Sequence, residues 1–458
     1  MEKTKTIILA AGQGTRMRSQ RPKVLHPIAG KPMILHVLDN SKKAGSDETI
    51  VVIGYKGELV QAILPPSTKT VLQTEQLGTG HAVMCALPHL ERNDDMVLIL
   101  MGDAPLIRPE VLSKMVQHHQ EQGNGVTVLT AEIENPKGYG RMVTTTEGDL
   151  LKIVEEKDAT EKEKAIAEVN GGMYCFTSKY LVEALSKIVP QNAQGEYYLT
   201  DTIEIIRSLG QRVGVFKTDA YDITAVNSKK QLAEVEKAFR QFNNCRLMDQ
   251  GAIMIDPDTT YLSADTTIGR DTVIYPGVLT EGVVSIGEDC VIGQNSRIVD
   301  SSIGDRTQVD ASTILESVVA EDTTVGPYAY IRPGSKIGKN VKIGDFVEVK
   351  NAVIKDGAKA SHLTYIGDAE VGENVNLGCG TVFVNYDGFD KNKVVVGKNT
   401  FIGCNTNLIA PVEVGENVYV AAGSTITENI PSRAFAIARQ KQVVKENYQI
   451  RNKKKGEN

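Results

Sequence analysis

The sequence predicts two folds in series: an α/β domain on a mostly parallel sheet, then a parallel β-helix of hexapeptide repeats, joined by one long helix. Three observations carry this. Short apolar runs alternate with amphipathic stretches in the first half. A branched aliphatic residue followed by Gly recurs at multiples of six in the second half. Between them, 228–247 repeats Leu232, Val235, Ala238, Phe239 and Phe242 at helical spacing, with Ser228 as a candidate cap. The boundaries read 1–227, 228–250 and 251–458.

In chain order, 5–11, 49–53, 96–101 and 125–130 are apolar or β-branched and bounded by Gly or Asp, as buried strands are. The stretches 32–44 and 109–122 each open with Pro and stop at Gly45 or Gly123, as helices do. Such alternation covers both faces of a parallel sheet, and ligands bind beyond the carboxyl ends of its strands. From about 252 the aliphatic–Gly pair appears at Ile268, Ile286, Ile292, Ile303, Val325, Ile337, Ile343, Ile366, Val371, Leu377, Val396, Ile402 and Val414. Every sixth side chain then points into a solenoid, and Gly makes the corner without a Cβ clash. The off-phase steps 292→303, 343→366 and 366→371 read as loop insertions or adjustments. The basic run 451–455 reads as a solvated tail.

Composition excludes several classes. Hydrophobic residues are 41%, charged residues 24% and the net charge is −6, so the chain is globular and has no basic field for nucleic acid or anionic membrane. Trp is absent and aromatics are 5%, which counts against a base-stacking surface. No segment is long and apolar enough to be a signal or a membrane span. The six Cys are scattered without a Cys-x-x-Cys pair and read as reduced thiols in a cytoplasmic protein.

The first strand ends in Leu9-Ala10-Ala11-Gly12-Gln13-Gly14, where Gly12 and Gly14 let backbone N–H groups approach an anion. Neither the dinucleotide fingerprint nor the Walker pattern is complete, since position 17 is Met and no Gly-Lys-Ser/Thr exists. Arg16 and Lys23 instead suit a polyphosphate. Asp103 follows the strand 96–101 and suits Mg²⁺, which borrows phosphate oxygens; a helix N-cap is its alternative reading. In the second half, His362 is the one His, in a polar interval read as a loop interrupting the repeat.

The motifs LAAGQGTRM, PKVL, LQTEQLGTGHA (72–82), GDAPL (102–106), GYGR (138–141), VEEKDA (154–159) and VNGG (169–172) resemble those of the sugar-nucleotide pyrophosphorylases. With the hexapeptide half, the whole chain is similar to the bifunctional family that joins N-acetylglucosamine-1-phosphate uridylyltransferase to glucosamine-1-phosphate N-acetyltransferase. The resemblance implies a Rossmann-like nucleotidyltransferase domain, a left-handed β-helix and a homotrimer with acetyl-transfer sites between chains. It implies UTP, acetyl-CoA, glucosamine 1-phosphate and N-acetylglucosamine 1-phosphate as substrates, and UDP-N-acetylglucosamine as product.

By the same resemblance, Leu9, Ala10, Ala11 and Gly12 contact the nucleotide, Arg16 and Lys23 its phosphates, and Gln73, Gly78 and Thr79 the uracil. Gly140, Glu155 and Asn170 hold the sugar, and Asp103 with Asn227 ligates Mg²⁺, Asn227 also lying at the sugar nucleotide. Arg332, Lys350, Tyr365 and Asn376 bind glucosamine 1-phosphate, while Cys379, Asn385, Tyr386, Cys404, Ala422 and Arg439 contact acetyl-CoA. Cys379 and Cys404 stand where the family often carries Ala and Ser. An ammonium has no lone pair to attack a thioester, so His362 is the expected general base. Two other readings stay open. One is a pyrophosphorylase whose β-helix only assembles oligomers or binds regulators; the other is a non-catalytic nucleotide-sensing scaffold.

Overall fold

The computed structural model describes residues 3–146 and 148–448; the basic run 451–455 lies outside them. Its contacts divide the chain into two units, 1–243 and 244–458. The division falls inside the helix Lys229–Asp249, whereas the sequence places boundaries at both helix ends.

The first unit is built on strands β1 (Thr4–Ala10), β2 (Glu48–Ile53), β3 (Lys69–Leu72), β4 (Met96–Met101), β5 (Val126–Glu132), β6 (Arg141–Thr144), β7 (Leu150–Val154), β8 (Glu168–Thr177) and β9 (Val213–Lys217). Their order is β9-β5-β8-β4-β1-β2-β3, with β6 pairing β8 and β7. Strands β4, β1, β2 and β3 run parallel, whereas β8 lies antiparallel between β4 and β5. Successive residues of β1 explain the coverage. Ile7 and Leu9 join one buried cluster and Ile8 and Ala10 another, so both faces are packed. Leu9 is in register with Met101, which leaves the carboxyl ends of β1 and β4 abreast.

The second unit is a parallel β-helix with faces of 11, 9 and 9 strands. The coil that carries Lys359–His362 on the first face continues as Tyr365–Gly367 on the second and Ala369–Val371 on the third. Down the first face, Ile274, Ile292, Val309, Val325, Ile343, Ala360, Leu377, Ile402 and Val420 are buried in register. Each Ile, Val or Leu side chain so buried contributes about 1.5–3 kcal/mol.

The corners differ. From third face to first, the inward residue always advances by six, from 268→274 to 414→420. Here glycine is required by close approach: a Cβ on Gly397 would lie 2.6 Å from the backbone of Gly415 on the next coil. The off-phase steps are one-residue shortenings, not insertions. Steps 298→303, 314→319, 349→354 and 366→371 fall between second and third faces, and 309→314 between first and second. The insertion is 383→396, also between second and third faces. Nor is His362 in a loop. It ends a strand, because Ala360 continues the buried row where an aliphatic–Gly pair is missing.

Candidate active sites

In the first unit, one two-lobed cavity opens at the carboxyl ends of β1 and β4. One lobe is lined by Leu9, Ala10, Ala11, Gly12, Gln73, Gly78 and Thr79, the other by Arg16, Gly140, Glu155, Asn170 and Asn227. Lys23 and Asp103 line both, at the junction. Each residue that the sequence assigns to the nucleotide and sugar thus lies around one space.

Local backbone chemistry builds the junction. Gly14 has φ 65°, and a Cβ there would sit 2.6 Å from Lys23 Cβ, so glycine lets Lys23 fold back under the turn. The Lys23 ammonium meets Asp103 Oδ2 and donates to Asn227 Oδ1 at 3.1 Å, which also accepts from Arg16 Nη2 at 2.9 Å. Asn227, far away in sequence, arrives because the Val226 N–H donates to the Asp103 carbonyl at 2.9 Å. Asp103 Oδ1 is buried and meets no donor. An orphaned carboxylate oxygen beside an amide oxygen is a hard-oxygen pair that fits Mg²⁺ completed by water and phosphate.

The sugar lobe has a tier of supports that sequence reasoning missed. Asn170 Nδ2 donates to the buried Tyr174 hydroxyl at 2.7 Å, and its Oδ1 accepts from the Gly172 N–H at 2.9 Å. Glu155 accepts from Thr200 at 3.3 Å. Burial pushes the Glu155 carboxyl up against that bond, and the acids Asp158, Asp201 and Glu196 add to the rise. Asp201 is itself pushed up to about 6, by burial first and then by Glu204 and Asp158. Arg141 of the GYGR motif is fully buried; it pairs with Glu156 at 2.8 Å and donates to the Tyr139 carbonyl, pinning the loop that lines this lobe.

In the nucleotide lobe, Gly78 has φ 107°, and a Cβ there would sit 2.6 Å from the Tyr197 carbonyl. Gln76, also missed, donates to the Ala11 carbonyl at 3.0 Å.

In the second unit, the candidate residues form two sets on opposite edges of the second face. Where the first face turns into the second, His362 Nδ1 lies 2.5 Å from Asp345 Oδ1, one coil earlier and in strand register. The His362 bond holds the Asp345 carboxyl below the usual carboxylate range, against slight desolvation. Cys379, Cys404 and Ala422 stack at the same corner on following coils: Asn405 N–H donates to the Cys379 carbonyl and Gly423 N–H to that of Cys404, both at 2.8 Å. A Cβ on Gly423 would be 3.8 Å from Arg439 Cδ, so Arg439 closes that row, while Asn376 precedes it on the first face.

At the turn from second to third face, Asp368 collects Asn351 at 2.7 Å, Lys350 at 3.3 Å and Asn385. Burial raises the Asp368 carboxyl, but these bonds outweigh it and hold it below the usual range. Gly367 leaves the space that the Tyr365 hydroxyl and Asn385 occupy. Arg332 pairs with Glu348 at 2.9 Å on the same edge, and Tyr386 donates to the Gly388 carbonyl at 2.7 Å within the insertion. A strand of three residues, about 10 Å, separates this set from His362. Among the described residues no side-chain hydrogen bond or ion pair joins the two sets. Asp345, Glu348 and Asp368 were the residues missed here. A shift of one coil, 17 residues from His362, would have found Asp345.

The comparisons with known proteins follow the same division. Residues 6–197 match the MobA-like NTP transferase domain family. Residues 316–351 and 393–428 match the bacterial transferase hexapeptide family (six repeats), and 283–316 the hexapeptide repeat of succinyl-transferase. The chain is 52% identical over 445 residues to the bifunctional protein GlmU of Clostridioides difficile (strain 630), covering 97% of each chain. It is 51% identical over 456 residues to that of Caldanaerobacter subterraneus subsp. tengcongensis, covering 100% of both. A solved UDP-glucose pyrophosphorylase complexed with UDP-glucose aligns with 53% of this chain and all of its own, at 21% identity and TM-score 0.45.

Proposed function

Since the chain belongs to the GlmU family of bifunctional proteins, and so carries a nucleotidyltransferase and an acetyltransferase on one polypeptide, we propose where each reaction takes place and which groups perform it. Acetyl transfer comes first. In the second unit, His362 accepts a proton from the amine of glucosamine 1-phosphate, using Nε2 because Nδ1 is held by Asp345. The freed lone pair attacks the acetyl-CoA thioester, the C–N bond forms as the C–S bond breaks, and the nitrogen's second proton goes to the departing thiolate, so that coenzyme A leaves as its thiol. Arg332, Lys350, Tyr365 and Asn376 bind the sugar phosphate, while Cys379, Asn385, Tyr386, Cys404, Ala422 and Arg439 line the acetyl-CoA path.

The product, N-acetylglucosamine 1-phosphate, then enters the sugar lobe of the first unit, against Gly140, Glu155 and Asn170. Its phosphate oxygen attacks the α-phosphorus of UTP in line, and pyrophosphate departs, giving UDP-N-acetylglucosamine. Little covalent chemistry is asked of the protein. Alignment by Leu9–Gly12, Gln73, Gly78 and Thr79, and neutralisation by Arg16 and Lys23, lower the barrier. Mg²⁺ held by Asp103 and Asn227 would add charge neutralisation on the polyphosphate.

The observation that carries this reading is the meeting of both lobes at Lys23 and Asp103, with Asn227 bonded to Lys23 on the sugar side. It is tested by incubating the protein with glucosamine 1-phosphate, acetyl-CoA, UTP and Mg²⁺ and following both products. Omission of Mg²⁺ should stop uridylyl transfer and spare acetyl transfer. A homotrimer is part of the proposal, because Arg332 and Lys350 stand on the opposite edge of the second face from His362 and Asn376, and a neighbouring copy can supply the missing side. A fully active monomer in sedimentation would refute that part. The reading places both reactions in the cytoplasm.

A further inference from the structure

His81 follows Gly80 at the start of the helix Thr79–Cys85 and has no role in the chemistry above. Its Nδ1 lies 3.0 Å from Gln73 Nε2, and the same Nε2 donates to the Gly78 carbonyl at 3.2 Å. A carbonyl can only accept, so the Gly78 oxygen fixes which end of the Gln73 amide faces it. Nδ1 must then accept as well, and both amide protons are used. The remaining atom, Gln73 Oε1, meets no donor among the described residues, and Gln73 lines the nucleotide lobe. The fixed partners are themselves anchored. Gly80 N–H donates to the Tyr197 carbonyl at 2.8 Å, Tyr197 N–H donates to that of Leu77 at 2.8 Å, and the His81 ring sits 6.4 Å from the Tyr197 ring.

From this geometry we infer that His81 is a positioning residue that, together with the Gly78 carbonyl, holds Gln73 as a one-way acceptor and so strengthens the preference for uracil over cytosine. The inference rests on the reading that places the base beside Gln73. Uracil offers an N3–H donor, which Oε1 accepts. Cytosine offers a lone pair at N3, which Oε1 repels. A Gln free to rotate would present either its oxygen or its NH₂ and accept both bases. Rotation would set Oε1 against the Gly78 carbonyl, which can only accept, and would require His81 to move its proton from Nε2 to Nδ1, so the amide stays as it is. The imidazole must therefore be the neutral Nε2–H tautomer.

The test compares UTP with CTP on the full-length chain, with N-acetylglucosamine 1-phosphate and Mg²⁺. His81→Ala should lower the UTP/CTP ratio of kcat/KM by ~10-fold, the size of one lost hydrogen bond, with the KM for the sugar phosphate unchanged. His81→Asn places an acceptor oxygen near the position of Nδ1 and should restore the ratio. Gln73→Leu should lower it at least as far as His81→Ala. Nitrogen-15 spectra of the wild-type imidazole, which need no variant to fold, should report Nε2–H with Nδ1 bare. An unchanged ratio in His81→Ala beside a collapsed one in Gln73→Leu would overturn the positioning role and leave the base where it is. A protonated Nδ1 would overturn it equally. An unchanged ratio in Gln73→Leu would remove the base from Gln73, and the site reading would fail with it.

Discussion

The two units hold their chemistry in opposite ways. In the first, residues from far-apart segments, Lys23, Asp103, Glu155 and Asn227, surround a concave space within one unit. In the second, the partners are one coil apart, as Asp345 and His362 are, and they stand on the edges of a convex rod with the His362 side chain 60% exposed. A parallel sheet ends in a cleft, so its site is closed by the chain returning over it. A solenoid contacts only its own neighbours and presents rows, so closure has to come from another surface. The lesson is that the first site depends on long-range folding and the second on register.

The sharpest break in this comparison is the separation of activities. Asp103→Ala should lower uridylyl transfer by at least ~10³-fold, since charge neutralisation supplies most of that catalysis, and leave acetyl transfer intact. His362→Ala should do the reverse, at ~10²–10⁴-fold. Loss of both activities in either folded variant would show the units to be interdependent.

Next in size is the register partner. Asp345→Asn should lower the kcat for acetyl transfer ~10- to 100-fold, because an amide no longer selects one tautomer of His362. Steady-state rates against pH would check it, with uridylyl transfer as the control.

Within the first unit the supports are smaller. Tyr174→Phe should raise the KM for N-acetylglucosamine 1-phosphate ~5-fold, the loss of one hydrogen bond to Asn170, with little change for UTP.

The smallest effect is on stability. The Asp201 carboxyl, raised to about 6, favours the folded state when protonated. Its contribution is complete below the unfolded value near 4 and is lost as pH rises through about 6. Asp201→Asn should therefore stabilise the first unit at pH 7.5 and leave it nearly unchanged at pH 4. Discounted for partial exposure, the gain is about 1 kcal/mol, seen as a rise of a few degrees in Tm.

Much of this was legible before the structure because the signals are periodic or local. The strand ends at Leu9 and Met101, the turn at Gly12 and Gly14, and the aliphatic rows of the β-helix follow from side-chain spacing alone. The supports of the first site were not legible. Tyr174 reaches Asn170 along a bulged strand, and Thr200 reaches Glu155 from a separate segment, so no sequence interval announces either contact. His362 was found for its isolation, yet its surroundings were misread. Ala360 is small enough to hide a regular buried position, so in the sequence a strand end reads as a loop.

The uneven corners of the β-helix bear on how such a chain changes over time and how it can be re-engineered. The passage from third face to first has one fixed length, and a residue added there would set a side chain inside the neighbouring coil's backbone. The passage from second face to third has absorbed four deletions and one long insertion, and it carries Lys350, Asp368 and Asn385. New sequence grafted at that passage, for example beside Gly388, should leave the remaining coils in register, whereas the same graft after Gly397 should unravel them.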